Sequence, residues 1–111
     1  MKVQLQGQQI RLRVDEDELA ELLDGGEVFD ATIVDELFEM RRGLVLGDDA
    51  EARLLGDAES WRIALPHGEV RALASRLPSR DGLRFTLPGS AEPLELLFDV
   101  DVRDSVRRRR G

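Results

Sequence analysis

The chain carries the same short pattern twice. Ile10-Arg11-Leu12-Arg13-Val14 alternates apolar and polar residues, runs into a helical pattern, and then into Val28-Phe29-Asp30-Ala31-Thr32-Ile33. Trp61-Arg62-Ile63-Ala64-Leu65 does the same, followed by a second helical pattern and by Leu83-Arg84-Phe85-Thr86-Leu87. When the two are aligned, Ile10 falls on Trp61, Arg11 on Arg62, Leu12 on Ile63 and Val14 on Leu65. Glu18, Leu19 and Leu22 fall on Glu69, Val70 and Leu73. Two strand–helix–strand units in one short chain predict a pseudo-twofold domain. That restricts the fold far more than it restricts the function.

The 111 residues suit one domain, with pseudo-repeats 1–47 and 50–104 and a basic tail over 105–111. Aromatic residues make up only 5%, so the core must come mainly from Leu, Val, Ile and Ala. The absence of cysteine excludes disulfides, thiolate metal sites and cysteine nucleophiles together. No apolar run approaches the ~20 residues that span a bilayer, so no membrane partner is expected. Met1-Lys2-Val3-Gln4-Leu5-Gln6 already alternates, which predicts no signal peptide and a cytoplasmic location. The net charge of −7 is uneven: residues 1–49 hold 5 basic and 13 acidic side chains, residues 50–111 hold 11 and 10. Such a domain is repelled by polyanions at long range, which counts against non-specific nucleic-acid binding but leaves room for a local basic patch.

Val3 and Leu5 face one way, and a turn at Gly7-Gln8-Gln9 leads to a second strand whose inner face is Ile10, Leu12 and Val14. Asp15 with Glu18 three residues on forms a capping-box signature. Leu19, Leu22 and Leu23 then make one buried helical stripe, and Gly25-Gly26 ends the helix. A third strand follows, with Phe29, Ala31 and Ile33 expected to face inward. Residues 35–42 fit either an extension of that strand or a short helical turn, and Gly43–Gly47 reads as a short strand. Asp48-Asp49 reads as a turn between the halves. Strands near Glu51–Leu55 and Trp61–Leu65 come next. A helix then starts after Pro66, with Val70, Leu73, Ala74 and Leu77 as its stripe and Pro78 as its stop. Strands at Leu83–Leu87 and Leu94–Val102 complete the order ββαββ, ββαββ. The expected fold is α+β: a small curled antiparallel or mixed β-sheet, or a barrel, built from two ββαββ pseudo-repeats. The expected core is Leu12, Val14, Leu19, Leu22, Leu23, Phe29, Ile63, Leu65, Val70, Leu73, Phe85 and Leu96, with Trp61 partly exposed.

Several of these stretches resemble a family of short bacterial proteins known only as a domain of unknown function. They are Gly7-Gln8-Gln9-Ile10-Arg11-Leu12-Arg13 after Met1-Lys2-Val3, Gly25-Gly26-Glu27-Val28, Trp61-Arg62-Ile63-Ala64-Leu65-Pro66, and the closing strand Leu94-Glu95-Leu96-Leu97-Phe98-Asp99. That family usually places a cysteine shortly after the closing strand, whereas this chain ends in arginines. The resemblance brings no activity with it. More distantly, the ββαββ unit is similar to half of an AbrB/MazE-type swapped-hairpin barrel, here with both halves in one chain. That family binds DNA through basic residues on its hairpins, which implies Arg11 and Arg13 in the first half and Arg62 in the second. Gln8 and Gln9 depart from the Asn and Ser usual there, and Ala64 stands where the first half has Arg13.

Other candidates come from residue chemistry. Arg107, Arg108, Arg109 and Arg110 form a run able to contact phosphate or an acidic partner, or to serve as a solubilising tail. Arg41-Arg42 and Arg103 would add to a basic patch if the fold gathers them. Asp99 and Asp101 alternate on the last strand and so share a face, a start for a divalent-cation site or simply a solvated strand face. The acidic run Asp15-Glu16-Asp17-Glu18 suits a helix N-terminus. His67 is the only histidine and lacks the partner that acid–base or nucleophilic chemistry needs. No glycine-rich phosphate loop is present, since Gly25-Gly26 follows a helix instead of preceding one. The expectation is a non-enzymatic binding or regulatory module without a cofactor, monomeric or homodimeric, with a protein partner. The alternatives are an AbrB/MazE-like DNA-binding regulator or antitoxin and a divalent-cation-binding domain.

Overall fold

A computed structural model of the protein describes residues 1–79, 81–87 and 92–102. These form β1 (Lys2–Gln6), β2 (Gln9–Asp15), α1 (Glu16–Leu23), β3 (Val28–Val34) and β4 (Phe38–Gly47), then β5 (Arg53–Gly56), β6 (Ser60–Pro66), α2 (His67–Ser75), β7 (Leu83–Leu87) and β8 (Leu94–Asp101). The ββαββ order occurs twice.

The strands build two four-stranded mixed sheets. Sheet I has the order β1-β2-β8-β7 and sheet II the order β3-β4-β6-β5. Each sheet therefore takes one hairpin from each half of the chain. In both, the outer pairs are antiparallel and the central pair is parallel. Parallel neighbours cannot be joined by a tight turn, so the two central strands must come from separate stretches of chain. Registers correspond as well: Leu12 pairs with Phe98 where Ile63 pairs with Leu44, and Val14 with Val100 where Leu65 pairs with Leu46. No closed barrel forms among the described residues: sheet I ends at β1 and β7 and sheet II at β3 and β5.

The inner faces of both sheets and the two helices share one core. Leu12, Val14, Leu96 and Phe98 enter it from sheet I, and Leu44, Ile63 and Leu65 from sheet II. Leu19 and Leu22 of α1 and Val70 and Leu73 of α2 close it. Each such side chain contributes about 1.5–3 kcal/mol relative to exposure. The expected capping box is present: Glu18 N–H donates to Asp15 Oδ1 at 2.7 Å and Asp15 N–H to Glu18 Oε1 at 3.0 Å. At α2, Pro66 takes the cap position without a side-chain hydrogen bond.

Four expectations are corrected. Phe29, Ala31 and Ile33 face outward, and Phe29 is 74% and Ile33 73% exposed. The cause is register. Val28 pairs with the fully buried Leu44, and the two-residue period of a strand then sends Phe29 and Ile33 to the other face. Leu23 and Phe85 only flank the core and are half-buried. Residues 35–42 neither extend β3 nor make a helical turn carrying Phe38 and Met40: β3 ends at Val34, and Phe38 opens a separate strand, β4, that runs unbroken to Gly47. Asp35 at φ +49 and a Leu37 N–H to Val34 C=O bond of 3.0 Å make the turn before it. Finally, α2 ends at Ser75, so Leu77 packs on the core from beyond the helix. Trp61 is half-buried, as expected.

Candidate functional site

Arg11 and Arg13 lie on the outer face of sheet I, where β2 runs parallel to β8 and sets Asp99 beside Arg13 and within reach of Arg11. Arg11 Nε and Nη2 donate to Asp99 Oδ2 at 3.1 and 3.0 Å. Arg13 Nε lies 3.0 Å from Asp99 Oδ1, at ion-pair distance but without hydrogen-bond geometry. One carboxylate, 20% exposed, thus serves two guanidinium groups.

Arg62 occupies the corresponding place on the outer face of sheet II. Its Nε donates to Glu27 Oε1 at 2.9 Å. Gly43, the neighbour of Arg62 on β4, leaves the space that Glu27 uses, since a Cβ there would lie 2.6 Å from Glu27 Oε1. The fold thus joins Arg11 to Arg13 and holds Arg62 on the other sheet. Arg103 and Arg107, Arg108, Arg109 and Arg110 fall outside the described residues.

Strand alternation separates Arg41 from Arg42. Arg41 is exposed and pairs with Glu39 at 3.3 Å. Arg42 points to the inner side and is only 10% exposed. Its Nη2 donates to Asp30 Oδ2 at 2.6 Å and to Thr32 Oγ1 at 2.7 Å, while its buried Nε has no hydrogen-bond partner. The hydrogen bond from Arg42 holds the Asp30 carboxyl below its ordinary value of 3.8. Neither the Arg42 cluster nor its burial follows from sequence spacing, because the register of β3 on β4 is what unites the three residues.

Asp99 and Asp101 do share a face of β8, and Asp99 is already charge-matched by the two arginines. Among the described residues, no three His, Cys, Asp or Glu side chains converge as a metal site would require. His67 is half-buried at the start of α2. Asp15 and Glu18 of the acidic run are engaged in the capping box.

Sequence reasoning missed the apolar surface. Among the described residues, the exposed large hydrophobic side chains are Leu5, Phe29, Ile33, Leu37, Phe38, Leu54 and Leu55. All but Leu5 belong to sheet II or to the turn of its β3–β4 hairpin. Two adjoining depressions lie here. One, of about 440 Å³, involves Gly43, Phe29, Leu55, Arg41 and Arg62. The other, of about 490 Å³, is lined by Leu5 and Ile10 from sheet I and by Leu54, Leu55 and Trp61 from sheet II. The available signal was the double parity of β3, where Val28 and Val34 are apolar on one face and Phe29 and Ile33 on the other. No helix among the described residues is long and apolar enough to cross a membrane. Comparison with protein-family models and with curated proteins finds no match to this chain.

Proposed function

We propose that this chain is a non-catalytic module that binds a protein partner through the exposed apolar side chains of sheet II. The observation that carries this reading is the concentration of exposed apolar side chains on sheet II among the described residues: Phe29, Ile33 and Leu55 on its outer face, Phe38 and Leu54 on the other face, and Leu37 in the hairpin turn. Exposed apolar patches rimmed by polar or charged residues mark interaction sites. Arg41 and Arg62 supply such a rim.

The test is capture from lysate with three baits: the natural chain, Leu54→Ser/Leu55→Ser on sheet II, and Arg84→Ala on sheet I. Support is one captured protein retained by the natural chain and the sheet I variant and lost by the sheet II variant. Capture indifferent to the sheet II changes would sink the reading.

DNA binding through Arg11, Arg13 and Arg62 is the second reading. Its support is the exchange of hairpins between halves together with three half-exposed outward arginines. It ranks behind because Asp99 and Glu27 already offset that charge. It requires duplex binding that falls steeply with salt and is lost in Arg11→Ala. The divalent-cation reading at Asp99 and Asp101 requires a melting temperature raised by Mg²⁺ or Ca²⁺.

A further inference from the structure

We propose that β3 is a homodimerisation edge. It pairs antiparallel with the β3 of a second copy about a twofold axis at Ala31, extending sheet II into a continuous eight-stranded sheet. This rests on the reading of sheet II as the contact face and names one occupant for its β3 border.

Among the described residues β3 is a terminal strand of sheet II, and none of them pairs with its outer backbone groups, which a further strand can take up. Natural edges are usually guarded by lysine, proline, a bulge or shortness. The other three edges follow that pattern: β1 carries Lys2, β5 has four residues including Arg53, and β7 carries Arg84. β3 has seven residues, Val28-Phe29-Asp30-Ala31-Thr32-Ile33-Val34, with no proline, glycine or basic residue. Its one charge, Asp30, is matched within its own chain by Arg42.

The strand is also complementary to itself. Reversed about Ala31, Val28 meets Val34, Phe29 meets Ile33, Asp30 meets Thr32 and Ala31 meets Ala31. Every apolar residue opposes an apolar one, and the carboxylate opposes a hydroxyl, so no like charges face each other. The most exposed side chains of β3, Phe29 and Ile33, are the two that this pairing covers on the outer face. Arg41 sits beside Ala31 on β4, so the two copies of Arg41 stand three strand spacings apart, about 14 Å, and do not clash. A shift of register by one residue would set Asp30 opposite Ile33 or Ala31 instead of Thr32.

The experiment is sedimentation or light scattering across a concentration series, with variants chosen for this register. The natural chain is expected at twice its 12.5 kDa mass. Phe29→Lys alone and Ile33→Glu alone are each expected to weaken dimerisation about tenfold or more. The double variant F29K/I33E places Lys opposite Glu twice across the axis and is expected to restore the dimer in low salt. Within one copy positions 29 and 33 lie about 14 Å apart, so the rescue cannot be intramolecular. Because the chain has no cysteine, Ala31→Cys gives a second readout. Opposed Cα atoms in an antiparallel pair lie about 4.5–5.5 Å apart, within disulfide reach, so A31C is expected to cross-link with added diamide while F29C is not. A natural chain that stays monomeric overturns this inference and leaves the Leu54–Leu55 capture test to decide the broader reading. A dimer that survives both single variants, or that cross-links through F29C instead of A31C, overturns it too.

Discussion

Sheet I and sheet II have the same plan and opposite outer chemistry. Across the middle of sheet I the outer row reads Gln4, Arg11, Leu97, Arg84. The corresponding row of sheet II reads Leu55, Arg62, Gly43, Phe29. The arginine is common to both rows, while its neighbours are polar or charged at the edges of one sheet and apolar at the edges of the other. One row further on, sheet I has the Arg13–Asp99 ion pair where sheet II has Ala64 and Val45. The inner rows match closely because both feed one core. A shared core constrains only the inner faces, so the outer faces were free to diverge, and the proposed partner-binding surface lies where they differ.

The largest expected effect tests the likeness of the inner faces. Phe98→Ala in sheet I and Leu44→Ala in sheet II should each destabilise by about 3–5 kcal/mol, in one cooperative transition. Denaturant unfolding followed by Trp61 fluorescence and by circular dichroism checks this. Two separated transitions would mean that the sheets do not share a core.

The hairpin turns offer a sharper contrast. Gly56 has φ +99, and a Cβ there would lie 2.3 Å from the Ser60 carbonyl oxygen. Gly7 has φ +53 with open space around it. Gly56→Ala should therefore cost about 2–4 kcal/mol, adding backbone strain to a steric clash. Gly7→Ala should cost about 1–2 kcal/mol from strain alone. Equal losses in thermal or urea melts would contradict the geometry.

A smaller effect separates the two outer rows. Asp99→Ala removes the shared partner of Arg11 and Arg13 and should cost about 1 kcal/mol. Glu27→Ala frees only Arg62 and should cost about half that or less. Both losses should shrink with added salt.

The smallest concerns pH. The Asp30 carboxyl titrates below its ordinary 3.8 in the folded chain because Arg42 holds its charged form. The lowered value means that the pair's contribution is complete above 3.8 and fades as pH falls through the lower folded value. Asp30 is partly exposed, so the effect is modest. The difference in stability between the natural chain and Asp30→Asn, measured at neutral pH and again on the acid limb, should narrow toward low pH. A gap that widens there would reverse the assignment.

The order of elements was legible because alternation, the Asp15–Glu18 capping signature and the glycine and proline breaks are local signals. Phe29, expected in the core, is the counterexample. Its strand is apolar at both parities, so periodicity alone could not choose a face. The pairing of Val28 with Leu44, across a loop, made the choice. The same holds for the charged residues. Arg11 and Arg13 were visible as a pair on one strand face. Their partner Asp99, however, lies 88 positions from Arg11 and becomes its neighbour only through the parallel β2–β8 pairing.

The sequence by itself determined a twice-repeated ββαββ chain, a core built from aliphatic residues and the cap of the first helix. All of these depend on residues within a few positions of one another. Only the tertiary structure decided that each sheet takes a hairpin from both halves and that both sheets stay open. It also decided that, among the described residues, the exposed large apolar side chains other than Leu5 gather on sheet II and its hairpin turn. Strand pairing joins residues that are distant along the chain, and the register of that pairing, which no local pattern encodes, sets which side chains meet the core and which face outward.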